Sequence, residues 1–132
     1  MGYNTNFEGK LNLSRQVTLN EFNKFEKIHQ ADHRNDKSKP DYYCQWEITK
    51  DGKHLRWDGS ENFYSYVEWL HWLIENFFAP KDIKLSGVIY WAGENRSDSG
   101  KIEVENNIIK VGVGKKITFN ELSYEDYINS DN

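Results

Sequence analysis

The stretch YYCQWEITKDGKHLRW, residues 42 to 57, constrains this chain more than any other. Asp51-Gly52 suits a two-residue type I′ turn, in which both central residues take positive φ. Counting outward from it pairs Ile48 with Leu55, Trp46 with Trp57 and Glu47 with Arg56. The apolar pairs then share one face and the charged pair takes the other, an agreement that a one-residue slip would destroy. The segment is expected to form an antiparallel hairpin with one wet face. Cys44 alternates with Trp46 and Ile48, so its thiol is expected to be buried and inert. It is the only cysteine, which rules out an intramolecular disulfide and the four-cysteine zinc patterns.

Other strands follow from the same period of two. YNTNFEGKLNL places Tyr3, Thr5, Phe7, Gly9, Leu11 and Leu13 on one face and polar residues on the other. LSGVIYW, KIEVE and IIKVGV read as three further strands, the last two joined at Asn106-Asn107. That turn pairs Val104 with Ile109, Ile102 with Val111 and Glu103 with Lys110. Gly87, inside its strand, marks a bulge or the close approach of another backbone. AGENRSDSG is a polar loop carrying Glu94, Arg96 and Asp98.

Two helices are expected. Thr18 with Glu21 three residues later forms a capping box, and Leu19, Phe22 and Phe25 can line one side of a helix ending near His33. Residues 34 to 41, RNDKSKPD, read as an exposed loop. The second helix runs from an N-cap at Ser60 to a stop at Pro80, with Phe63, Tyr66, Val67, Leu70, Leu73, Ile74 and Phe77 on its core face. Trp69 and His71 fall on opposite flanks. Trp72 falls on the back with Glu68 and Glu75, and Tyr64 lies nearby. Such rings among carboxylates suit a partner-binding patch formed by Tyr64, Glu68, Trp72 and Glu75. The alternative is that the first helix or the C-terminal segment covers Trp72.

The order β-α-β-β-α-β-β-β, with hairpins and no run of parallel crossovers, implies an α+β fold. About five to six antiparallel strands would carry two helices on one face, in a ferredoxin-like variant. A chain of 132 residues is the size of one such domain. All 17 Lys and Arg precede residue 120, balanced by the carboxylates there, so the net charge of -4 comes from Glu121, Glu125, Asp126 and Asp131. Residues 1 to 119 are therefore expected to form the domain and 120 to 132 an acidic, solvated tail.

A neutral body without a basic cluster argues against duplex nucleic acid as a partner, because that affinity is mostly electrostatic. No run approaches the apolar length of a membrane-spanning helix, and MGYNTN lacks the pattern of a secretory signal. A cytoplasmic protein is expected.

Chemistry-bearing motifs are sparse. His29 and His33 lie one helical turn apart, but no glutamate or third histidine stands at a ligand spacing, so neither a metal nor any other cofactor is expected. PDYYCQWEITK approaches a metal-dependent nuclease pattern, yet Glu47 and Lys50 are three apart and would face opposite sides of a strand. No nucleophile elbow, P-loop or GxGxxG is present, and no catalytic residue is expected. Aromatic rings and carboxylates at Trp57, Asp58, Trp91, Glu94 and Asp98 offer an alternative small-ligand or nucleotide site.

GYNTNFEGKLNL, LRWDG and LSGVIYWAGENRSDSGKIEV resemble small uncharacterised bacteriophage and bacterial proteins. That group opens with a Gly-Tyr-x-Thr-x-Phe-x-Gly strand and carries a Trp-Asp-Gly turn and a Gly-Glu-x-x-x-Asp loop. Here these fall at Gly2, Tyr3, Thr5, Phe7 and Gly9, at Trp57, Asp58 and Gly59, and at Gly93, Glu94 and Asp98. The resemblance implies a phage setting, in which accessory proteins of this size bind and block a host or defence component, as anti-CRISPR proteins do. The expectation is a non-enzymatic protein that binds a protein partner, with self-association among the options.

Overall fold

The computed structural model describes residues 2–115 and 118–129. In chain order the elements are β1 (Thr5–Leu13), α1 (Leu19–His29), β2 (Trp46–Ile48), β3 (His54–Trp57), α2 (Tyr66–Leu73), β4 (Leu85–Gly93), β5 (Ser99–Glu105), β6 (Ile108–Lys115), β7 (Thr118–Ser123) and α3 (Tyr124–Asn129). All the strands join one antiparallel sheet in the order β2-β3-β1-β4-β5-β6-β7. The fold is α+β. Among the described residues the sheet has seven strands rather than five to six, and the α-helices number three rather than two. A ferredoxin-like arrangement needs parallel central neighbours joined by helical crossovers, whereas β1 here lies antiparallel between β3 and β4.

Both hairpin registers are those expected. Trp46, Glu47 and Ile48 face Trp57, Arg56 and Leu55, and Ile102, Glu103 and Val104 face Val111, Lys110 and Ile109. The Asn106-Asn107 turn has positive φ at both residues, as a type I′ turn requires. The first turn differs. Only Gly52 has positive φ, and its N–H donates to the Thr49 carbonyl at 2.8 Å. Lys50 to Lys53 thus form a four-residue loop, centred on the same point and so leaving the register unchanged. Asp51 holds it by accepting from the Lys53 N–H at 3.0 Å.

One hydrophobic cluster lies between a face of the sheet and α1 with α2. The other face carries Glu8, Lys10, Asn12, Ser86 and Lys110, all exposed. Gly87, with φ +142°, sits where a Cβ would meet the Lys10 carbonyl at 2.9 Å and the Leu11 Cα at 3.3 Å, so the backbone approach there admits only glycine.

The capping box of α1 forms as expected. Thr18 Oγ1 accepts from the Glu21 N–H at 3.1 Å, and a Glu21 carboxylate oxygen accepts from the Thr18 N–H at 2.9 Å. Of the side expected to face inward, Phe25 is fully buried but Leu19 is 76% exposed. The helix stops at His29, short of His33, whose Nε2 lies 2.8 Å from the Ile28 carbonyl and whose N–H donates to the Tyr42 carbonyl. Those bonds turn the chain out of the helix.

The second helix begins at Tyr66, not after Ser60. Ser60 is occupied in a turn, its N–H donating to Asp58 and its carbonyl accepting from Trp57 Nε1. Ser65 precedes the helix in the left-handed region with φ 56° and makes no side-chain cap bond; its hydroxyl donates instead to Asp41 at 2.8 Å. After Leu73 the helix widens into a π-helical turn, Ile74–Phe78, and ends in a 3-10 turn, Ala79–Lys81, at the expected proline. The wider turn lets the adjacent Phe77 and Phe78 both point into the core. Trp69, expected on a flank, is fully buried, with the His33 ring 5.3 Å away.

Residues 120 to 132, expected to be an acidic tail, instead supply the last four residues of β7, paired with β6, and α3. The described part of that segment ends at Asn129, so Asp131 lies outside the described residues.

Two predictions follow from the packing. Trp46 is fully buried and its Nε1 donates to the Tyr66 carbonyl at 2.8 Å, so Trp46→Ala should lower stability by about 3 to 5 kcal/mol in a denaturant titration. A change below about 1 kcal/mol would refute this packing. Arg15, and then the Thr18 N–H, hold the Glu21 carboxyl down from 4.5 to about 2. A depressed folded-state pKa contributes stability that is full above the unfolded value and lost as pH falls toward the folded one. Glu21→Gln should therefore flatten the loss of stability between pH 4.5 and 2; an identical slope in both proteins would show that the pair contributes nothing.

Candidate functional site

The sheet and α2 share an aromatic cluster that takes in Trp57, Phe63 and Tyr66. Phe7 on β1 lies within 4.9 to 5.7 Å, ring centre to ring centre, of Trp46, Trp57, Phe63 and Tyr66, and Tyr66 lies 5.7 Å from Trp91. Trp91 belongs to the hydrophobic core and Trp57 packs against it.

The alternative ligand residues are divided by the fold. Asp58 stands 2.7 Å from His29 Nε2 and accepts from the Ser60 N–H. Glu94 accepts from the Asn4 N–H at 2.7 Å. Asp98 accepts from the Tyr3 hydroxyl at 2.8 Å with one oxygen and from Trp91 Nε1 at 3.0 Å with the other. The Tyr3 hydroxyl in turn accepts from the Asn95 N–H at 3.0 Å. Glu94 and Asp98 thus buckle the residues just ahead of β1 to the 94–98 loop. Trp91 and Asp98 share a cavity of about 330 Å³, whose walls include Tyr66, Glu68 and Tyr127. Burial, the largest cause, pushes the Tyr66 phenol well above its ordinary range and keeps it neutral.

The expected partner patch is also split. Glu68, Trp72 and Glu75 line an open concavity of about 380 Å³ with Lys39, His71 and Tyr124. The Lys39 ammonium lies 4.8 Å from the Trp72 ring centre, and Trp69 meets Trp72 edge-on at 5.8 Å. Trp72 is therefore half-buried and packed against the core. Its cover comes from Lys39 in the 34–41 loop, which is otherwise largely exposed as expected. His71 stacks on Tyr124 of α3 at 4.1 Å and lies 3.9 Å from Glu75. The C-terminal segment thus forms the second wall.

Tyr64 belongs elsewhere, in a cleft of about 280 Å³ with Asp41, Tyr42, Tyr43, Gln45 and Glu61. Tyr42, Tyr43 and Tyr64 are all exposed, at 52%, 45% and 44%. Sequence reasoning passed over Tyr42 and Tyr43 by counting them into the hairpin; their place just before β2, beyond its paired residues, was the available signal.

Cys44 is buried, and burial raises its thiol to about 12, which leaves it protonated at neutral pH. His29 and His33 are engaged separately, one by Asp58 and the other by the Ile28 carbonyl. Among the described residues no group of three or more His, Cys, Asp or Glu is placed to hold a metal ion. No described helix is long and apolar enough to cross a membrane.

No protein-family model, curated protein or solved structure matches this chain.

Asp98→Ala tests the buckle. It strips the indole N–H of Trp91, which is 5% exposed, of its acceptor, and should cost about 1 to 3 kcal/mol in a urea titration. An unchanged midpoint would mean that Asp98 carries no structural role.

Proposed function

We propose that this chain is a non-enzymatic binding protein that docks a protein partner on the α2 surface around Trp72. The observation that carries the reading is the concavity of about 380 Å³ in which Trp72, His71 and Tyr124 meet Glu68 and Glu75. Aromatic rings in a partly desolvated hollow rimmed by charge are the usual anchors of protein interfaces. Resemblance to phage accessory proteins adds the setting: blockade of a host or defence component inside a bacterial cell, in the manner of an anti-CRISPR protein. The buried Cys44 thiol and the separated histidines favour binding over catalysis.

A small-ligand reading draws on the cavity beside Trp91 and Asp98. It is the weaker of the two, since both Asp98 oxygens are already hydrogen-bonded within the chain.

Trp72→Ala separates folding from association. Truncating a half-buried ring with a Lys39 contact should cost about 1 to 2 kcal/mol of stability and leave the protein folded. Association should weaken by about 2 kcal/mol or more, roughly thirtyfold. The assay is affinity capture from bacterial extract alongside sedimentation, with Lys10→Ala on the opposite sheet face as control. Equal capture and equal sedimentation by wild type and Trp72→Ala would overturn the proposal.

A further inference from the structure

The cleft between the 41–45 segment and the 61–64 loop stands apart from the Trp72 surface and does not rest on the reading above. It is lined by Asp41, Tyr42, Tyr43, Gln45, Glu61 and Tyr64 and has a volume of about 280 Å³. Gln45 is only 8% exposed, and its Nε2 donates to the Glu61 carbonyl at 2.8 Å. That bond fixes which end of the amide is nitrogen, because reversing it would set oxygen against oxygen. Oε1 is then a buried acceptor with no partner among the described residues. Native proteins seldom leave such an acceptor unmet, and the side chain that carries it belongs to the lining of the cleft.

The surroundings narrow the donor's chemistry. Asp41 and Glu61 make the cleft acidic; Asp41 already accepts from Ser65 and from its neighbour's N–H, while the Glu61 carboxylate has no hydrogen bond or ion pair among the described residues. Three exposed tyrosine rings offer π faces to a cation. One of these rings already holds one. The Arg34 guanidinium lies 5.3 Å from the Tyr42 ring centre and donates to the Tyr43 hydroxyl at 2.9 Å. A planar cation with several N–H donors matches every one of these features, and an ammonium, with no plane to stack, matches fewer.

We propose that this cleft binds a guanidinium group, stacked on the tyrosine rings, paired with Glu61 and donating an N–H to Gln45 Oε1. The group could reach it as an arginine side chain of a peptide or as a free guanidino compound; both present the same chemistry.

The test is an NMR titration of the whole protein with N-acetyl-arginine amide, reading the Gln45 side-chain amide and the tyrosine ring signals. Binding at a Kd of about 1 mM is expected for a ligand of this size. N-acetyl-citrulline amide, similar in shape but uncharged, should bind at least tenfold more weakly. Gln45→Leu should weaken binding about tenfold; Glu61→Gln, at an exposed position, should weaken it severalfold without disturbing the fold and decides the matter if Gln45→Leu does not fold. A Gly-Arg-Gly peptide that binds tenfold tighter than the amide identifies a peptide source, and equal affinity identifies the free compound. The proposal fails if no signals move up to about 20 mM ligand, if citrulline binds as well as arginine, or if Glu61→Gln leaves the affinity unchanged.

Discussion

The Trp46 indole is the contact on which the rest of this architecture depends. Its ring is fully buried, edge-on to Phe7 at 5.3 Å and to Phe63 at 5.1 Å, and its N–H donates to the Tyr66 carbonyl. One side chain therefore joins β2 to β1, to the loop before α2 and to the first residue of α2 itself. The polar end matters as much as the apolar one. A buried indole N–H needs an acceptor, and meeting that need fixes where α2 begins. This anchoring is valuable because Ser65, ahead of the helix, sits in the left-handed region and contributes no cap bond. Tertiary contacts do there what a local capping residue does for α1.

That difference explains what the sequence disclosed. Registers and the α1 cap were legible because they rest on local rules: alternation of apolar residues, turn symmetry and the Thr18–Glu21 spacing. Even a misjudged turn type left the first hairpin's register intact, since both turns share a centre. The start of α2 was misplaced because a serine in a polar stretch looks like a cap wherever it stands, and only the distant Asp41 and Trp46 show which serine matters. Trp69 was misassigned for a related reason. A helical wheel assumes one buried face, but the 30–43 segment folds over the flank of α2 and buries a second strip under His33 and Lys39. β7 escaped notice behind the acidic residues around it, although it extends the sheet beyond β6.

The candidate sites were less legible than the fold. Residue types recorded the presence of Trp57, Asp58, Trp91, Glu94 and Asp98 without revealing who uses them. A carboxylate that accepts from Tyr3 and Trp91 is the same letter as one that binds a ligand. Exposed carboxylates near glycine-rich turns are ambiguous in this way, because the fold itself must satisfy the backbone and ring donors gathered there. Trp72 is half-buried, and its cover could not be read from a loop that is polar and charged apart from Pro40.

The 38–43 segment ties the two surfaces of greatest interest together. Pro40 lines the concavity beside Trp72, and the next residue, Asp41, lines the tyrosine cleft. Asp41 is also bonded to Ser65 at the head of α2. A partner that moved Lys39 off the Trp72 ring would pull on the chain two residues before Asp41, and with it on the wall that carries Tyr42 and Tyr43. The two surfaces therefore meet in one short loop, although they share no lining residue. A shift of that loop at one surface would therefore reach the wall of the other.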